Sequence, residues 1–125
     1  MSGVDRALGG AMDIDGALGV ALVDYDSGMA LGTRVAAVAG LDLALAAAGY
    51  TDIVRATRRA LDTLNLGAEE VEDILVALTG QYHLIRPLTR TGGSSLFLYL
   101  VLDRTRANLA MARHHLRRIE ATLEL

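Results

Sequence analysis

The sequence predicts an α+β sandwich of element order αββαβββα, with one antiparallel sheet covered by helices on both faces. Residues 41–65 repeat apolar side chains at alternating intervals of four and three, the period of a long amphipathic helix. The run Leu96-Phe97-Leu98-Tyr99-Leu100-Val101-Leu102 is apolar on both alternating faces, so this strand must be covered above and below. Composition agrees: 52% of the 125 residues are hydrophobic and only 4% aromatic, so the core is mainly Ala, Leu and Val, which favours closely packed helices. That length predicts one domain over 1–125, with a real core but no separate lid.

Val4, Leu8, Ala11 and Met12 recur at helical spacing and predict a first helix over 4–14, although Gly9-Gly10 weaken it. The apolar segments Ala17 to Val23 and Met29 to Thr33 flank the turn residues Asp24-Tyr25-Asp26-Ser27-Gly28, a hairpin signal. The long helix runs from Leu41 to about Asn65 and is expected to stop near Gly67. One of its stripes, Leu43, Ala47, Tyr50, Val54, Thr57, Leu61 and Leu64, can cover a sheet, while Thr51, Arg55, Arg58 and Asp62 mark a wet side. A second stripe of Ala46, Gly49, Ile53, Ala56 and Ala60 is small and smooth, and lets another helix approach closely. Its best candidate partner is its own copy in a homodimer; the alternative is an Ala-rich helix buried inside its own domain.

Three further strands are expected at Val71 to Thr79, Tyr82 to Leu88 and Ser95 to Leu102, with turns at Thr79-Gly80-Gln81 and, around Gly92-Gly93, at Thr89 to Ser94. Asp103 or Thr105 can cap the last helix, whose core stripe is Leu109, Ala112, Leu116, Ile119 and Leu123.

The 12 basic and 15 acidic side chains leave a formal charge of -3, which supplies no field for nucleic acid or anionic lipid. Without cysteine there is no disulfide, thiol nucleophile or thiolate metal site. Met1 to Asp5 lack a secretory start, and the apolar stretch Val35 to Gly49 is interrupted by Asp42 and too short to span a bilayer, so a cytoplasmic protein without membrane insertion is expected.

Candidate chemical motifs reduce to structure. Asp24, Asp26 and Gly28 mimic a calcium loop, but the glycine comes one position early and no bidentate glutamate follows. His114 and His115 diverge around a helix, and His83 lies far off in sequence, so no metal site is expected. Gly9-Gly10 and Gly92-Gly93 lack the Lys-Ser/Thr of a phosphate loop, and Ser2, Ser27, Ser94 and Ser95 lack a nucleophile's setting. Glu69-Glu70 and Glu72-Asp73 read as solvated charge. Arg104, Arg106, Arg113, Arg117 and Arg118 make the last helix basic against an acidic stretch from Asp62 to Asp73, which reads either as a solvated face or as a dock for an acidic partner. No catalytic residue and no cofactor is expected.

The element order, the stretch Gly16-Ala17-Leu18-Gly19-Val20-Ala21-Leu22-Val23-Asp24-Tyr25-Asp26-Ser27-Gly28 and the ending from Val101 to Arg113 resemble the Roadblock family, from about Val4 to Leu123. That family includes dynein light chains and bacterial regulators of Ras-like GTPases. The resemblance implies a profilin-like sheet of order 2-1-5-4-3, with the long helix on one face and the first and last helices on the other. It also implies dimerisation through the second helix and the third strand, here Ile74, Val76 and Leu78, whose uncharged middle would be an undefended edge. The implied role is a non-catalytic homodimeric regulator or accessory subunit of a small Ras-like GTPase, with Arg55, Arg58 and Arg59 the candidate partner-binding residues. Rival readings are a structural adaptor indifferent to nucleotide state and a small-molecule sensor.

Overall fold

A computed structural model of the chain describes residues 3–37, 39–89 and 95–123. Its elements are α1 (Gly3–Met12), β1 (Ala17–Asp24), β2 (Met29–Val35), α2 (Leu43–Thr63), β3 (Ile74–Ala77), β4 (Gln81–Pro87), β5 (Leu96–Asp103) and α3 (Leu109–Thr122), in the predicted order. The five strands form one antiparallel sheet in the order β2-β1-β5-β4-β3. The two driest strands, β1 and β5, lie inside it, where each is hydrogen-bonded on both sides.

Alternation along the strands divides the core into two layers. Val20, Leu22, Leu84, Leu98, Leu100 and Leu102 meet Leu8 and Ala11 of α1 and Ala112 and Leu116 of α3. Ala21, Val23, Ile85, Phe97, Tyr99 and Val101 meet Leu43, Ala47 and Val54 of α2. Every position of β5 from Leu96 to Leu102 is buried, as its unbroken apolar run requires.

Local hydrogen bonds set the helix ends. Asp42 caps α2 by accepting the Leu45 N–H at 3.0 Å. The helix closes with Leu66 N–H to Leu61 O at 2.8 Å and Asn65 N–H to Asp62 O at 3.1 Å, with Asn65 at φ 59°. That left-handed residue ends the helix two positions before the expected Gly67, because asparagine tolerates the conformation and satisfies the last carbonyls equally well. Leu64, placed in the core stripe by its spacing, lies past the last turn and is 64% exposed. Thr51 departs from its predicted wet side: it is 2% exposed, and its hydroxyl donates to Ala47 O at 2.8 Å, which lets it enter the dry face without an orphaned polar atom.

The cap of α3 is neither Asp103 nor Thr105. Asn108 accepts the Met111 N–H at 3.1 Å, whereas Asp103 accepts the Thr105 N–H and hydroxyl and closes a turn before the helix. At this turn Gly16 has φ +84°, and a Cβ there would lie 3.0 Å from Ala107 N, so both conformation and space demand glycine. Strand β2 continues past Thr33 to Val35, and β3 is only four residues long, shorter than the expected Val71 to Thr79, with Asp73 before it paired to Arg113 of α3. The turn expected around Gly92-Gly93, together with Ser94 and Ser2, lies outside the described residues.

Candidate functional site

Helix α2 lies over β1 and β2, leaving the β4–β3 side of the same sheet face more open. Tyr50 shows which flank of α2 turns that way, because its hydroxyl reaches His83 Nδ1 on β4 at 2.6 Å. At about 100° per residue, Ala46, Ile53, Ala60 and Gly49 follow Tyr50 around the helix, with Ala56 beyond them. Ala46 is half-buried, while Gly49, Ile53, Ala56 and Ala60 are exposed, Ile53 at 42%.

Strand β3 stands on the same side. Ile74 and Val76 pair with Ile85 and His83, so they share the α2 face of the sheet, and both are half-buried. Leu78, in the same alternation, is 43% exposed. No described strand pairs with the outer edge of β3. The structure thus brings the small-residue stripe and the uncharged edge to one side of one face.

Beneath this surface is a polar cluster that sequence reasoning missed. Gln81 Oε1 can only accept, so His83 Nε2 carries the proton at 2.9 Å, leaving Nδ1 to accept from Tyr50 at 2.6 Å with the Tyr99 hydroxyl at 3.2 Å. Burial holds the imidazole below its ordinary value. Burial also raises the Tyr50 and Tyr99 phenols, and at Tyr99 the neighbouring Tyr50 adds to the rise. All three groups are therefore neutral at neutral pH. The available signal was positional: Tyr50 sits in the apolar stripe of α2, and His83 shares its strand face with Ile85.

This cluster makes stability pH-dependent with a definite sign. The unfolded chain takes up a proton at His83 near pH 6.5, and the folded chain does so only at lower pH. The contribution is therefore complete above 6.5 and is lost as the pH falls through that value towards the folded one. Urea midpoints measured from pH 7.5 downwards should fall more steeply for the native chain than for His83→Gln. Parallel profiles would remove His83 as the cause.

The three candidate partner-binding arginines are all exposed on α2, and two of them also touch the β1–β2 turn. Arg55 donates to Asp26 O at 2.5 Å, and the Arg58 guanidinium stands 5.8 Å from the Tyr25 ring centre, so both brace the β1–β2 turn. Arg59 is exposed and makes no ion pair among the described residues. The turn is also held by Asp24, whose carboxylate accepts the Asp26 N–H at 2.9 Å and the Ser95 hydroxyl at 2.8 Å. Those bonds, the Asp26 N–H foremost, hold the Asp24 carboxyl below the usual carboxylate range, and Gly28 has φ 77°. These are the marks of the predicted hairpin turn.

The basic last helix is likewise partly engaged within the chain. Arg113 binds both Asp73 oxygens, at 2.9 and 3.2 Å, and Arg104 donates to Leu78 O while its guanidinium lies 4.9 Å from the Tyr82 ring centre. Glu120 is 3% exposed and accepts from Arg86 at 2.8 Å and from the Thr89 N–H at 2.8 Å. It occupies the same phase as Ala112 and Leu116, the spacing that could have revealed a carboxylate pointing inward. Among the described residues no group of three or more histidines or carboxylates could hold a metal ion. Among them, too, no helix is long and apolar enough to cross a membrane.

No family model matches the chain, and no curated protein sequence does. Solved structures do. The gliding protein MglB from Thermus thermophilus is similar at 20% identity and a TM-score of 0.80, over 97% of this chain and 85% of that one. A Roadblock/LC7 domain from Streptomyces avermitilis is similar at 15% identity and 0.75, over 94% and 92%. An MglB solved in a tetrameric arrangement is similar at 22% identity and 0.79, over 98% and 88%. With three helices on a 2-1-5-4-3 sheet and these neighbours, the chain has the Roadblock/LC7 fold.

Proposed function

We propose that the chain is a homodimeric, non-catalytic regulator or accessory subunit of a small Ras-like GTPase, acting in the cytoplasm as a single domain. The observation that carries the self-association is the coincidence on one side of the molecule of the bare α2 flank and the open edge of β3. A copy related by two-fold symmetry would pair β3 with β3 and let the two α2 flanks approach, so that one patch meets itself. The MglB neighbour in a tetrameric arrangement supports self-association in this fold. The GTPase follows from the resemblance to Roadblock-type bacterial regulators, with the MglB structures as neighbours. A regulator of this kind acts by binding one nucleotide state more tightly and shifting the switch conformations.

The test uses the purified Ras-like GTPases of the source organism, loaded with GDP or with a non-hydrolysable GTP analogue. One of them should bind at least roughly tenfold more tightly in one state, a difference of about 1.4 kcal/mol. Equal affinity in both states would instead establish the adaptor reading.

A further inference from the structure

The flank of α2 opposite the small-residue stripe overlooks the other edge of the sheet. A Cβ at Gly19 would lie 3.3 Å from Leu43, and one at Gly28 would lie 3.9 Å from the Thr51 hydroxyl, so α2 runs along the β1–β2 hairpin from its Val35 end to its turn. Ala44 and Ala48 come seven and three residues before Thr51, share its side of the helix, away from Tyr50, and are both exposed. No described strand pairs with the outer edge of β2. On that strand Leu31 and Val35 are 53% and 47% exposed. An open apolar corner is left where the helix flank meets the strand edge.

The register of β2 fixes which of its backbone groups are free. Ala36 N–H donates to Leu18 O at 2.9 Å, Arg34 pairs with Val20 and Gly32 with Leu22, so Gly32 and Arg34 spend their backbone groups on β1. Thr33 and Val35 alternate with them and turn their N–H and C=O outward. Their side chains stand on the α2 side, because a Cβ at Gly32 would strike Leu8 of α1 at 2.8 Å and Arg34 pairs with Asp5 of α1 at 3.1 Å. Arg34 is the one charge on the strand, and its Nη1 donates to Thr33 O at 3.0 Å, a guard on the open edge. An arriving N–H takes that carbonyl and leaves one arm of the guanidinium free for a carboxylate.

We propose that this edge binds an extended segment of a protein partner in which branched apolar and acidic side chains alternate, added as a strand antiparallel to β2. The apolar residues of the segment stand opposite Thr33 and Val35, exchange backbone hydrogen bonds with them and fill the corner beside Ala44 and Ala48. An acidic residue stands opposite Arg34, at a non-hydrogen-bonded position where facing side chains come closest, and accepts from the freed guanidinium arm. A second copy of β2 does not meet this need, because Met29–Val35 contains no carboxylate. The β2 edge is at the far end of the sheet from β3, so the segment leaves the α2–β3 surface untouched. Nothing in the inference depends on the proposed dimer or on a GTPase.

Fluorescence anisotropy of a labelled peptide of alternating valine and glutamate, as long as β2, tests it against the full chain. Binding should saturate. N-methylation of the valine amides, which face Thr33 and Val35, should weaken it at least roughly tenfold, whereas N-methylation of the glutamate amides should not. Thr33→Pro should weaken it as much, since that N–H is not spent on β1 and an edge proline spares the ladder. Arg34→Glu should reverse the preference, so that a valine–lysine peptide binds roughly tenfold better than the valine–glutamate one. Absence of saturable binding, indifference to which amides are methylated, or an unreversed preference overturns the proposal. So does a change in the sedimentation of the peptide-free chain on Thr33→Pro, which assigns the edge to a second copy. If Thr33→Pro does not fold, the methylated peptides on the native chain still decide. Ala56→Arg, away from the corner, should bind the peptide as the native chain does, whatever its effect on the dimer.

Discussion

Arg86→Ala is expected to destabilise the fold by about 3–5 kcal/mol, the scale for breaking a buried ion pair from one side. The Glu120 side chain is 1% exposed and that of Arg86 14%, so removing the guanidinium takes the cation from a carboxylate that water cannot reach. Arg86 also donates to Glu72 O at 3.2 Å, and Glu120 holds the Thr89 N–H, so one pair ties β4, α3, the approach to β3 and the start of the β4–β5 connection together. The penalty comes from keeping a buried negative charge without its cation more than from the lost attraction. Replacing both partners, as Arg86→Met with Glu120→Leu, should recover most of the stability. Urea unfolding of the three variants measures this; a loss below about 1 kcal/mol for Arg86→Ala would mean that the site rehydrates.

Ala56→Arg is expected to weaken the proposed dimer by at least roughly a hundredfold, about 2.7 kcal/mol, while leaving the protomer folded. Ala56 is exposed in the isolated chain and touches no core layer, so an arginine there has room in a monomer. Against a second α2 it has none, because the flank of Gly49, Ile53 and Ala60 permits approach only while its side chains stay small. Light scattering at micromolar concentration should show a monomer, with an unchanged circular dichroism spectrum. An intact dimer would exclude this flank as the interface.

Hydrophobic period is a local property, and what depends on it was legible. The eight elements, their order and the doubly covered β5 follow from spacing in α2 and from the unbroken run Leu96 to Leu102. Ends were less legible, because each is set by whichever nearby group reaches the free backbone atoms first. Asn108 rather than Asp103 caps α3, and Asn65 rather than Gly67 closes α2. The surface stripe Ala46, Gly49, Ile53, Ala56 and Ala60 could be read as residues, but only the Tyr50–His83 bond showed that it faces the same side as β3.

The sequence by itself determined which segments are helices and strands and, Thr51 and Leu64 apart, which face of α2 is dry. Tertiary structure decided the partners of its charged and polar groups. Arg86 and Glu120 lie 34 positions apart, Arg113 and Asp73 lie 40, and Tyr50 and His83 lie 33. Contacts over such distances leave no periodic trace, because their geometry depends on strand order and on how each helix crosses the sheet. For that reason the contacts of Arg55 and Arg58 with the β1–β2 turn could not be read from their spacing on α2.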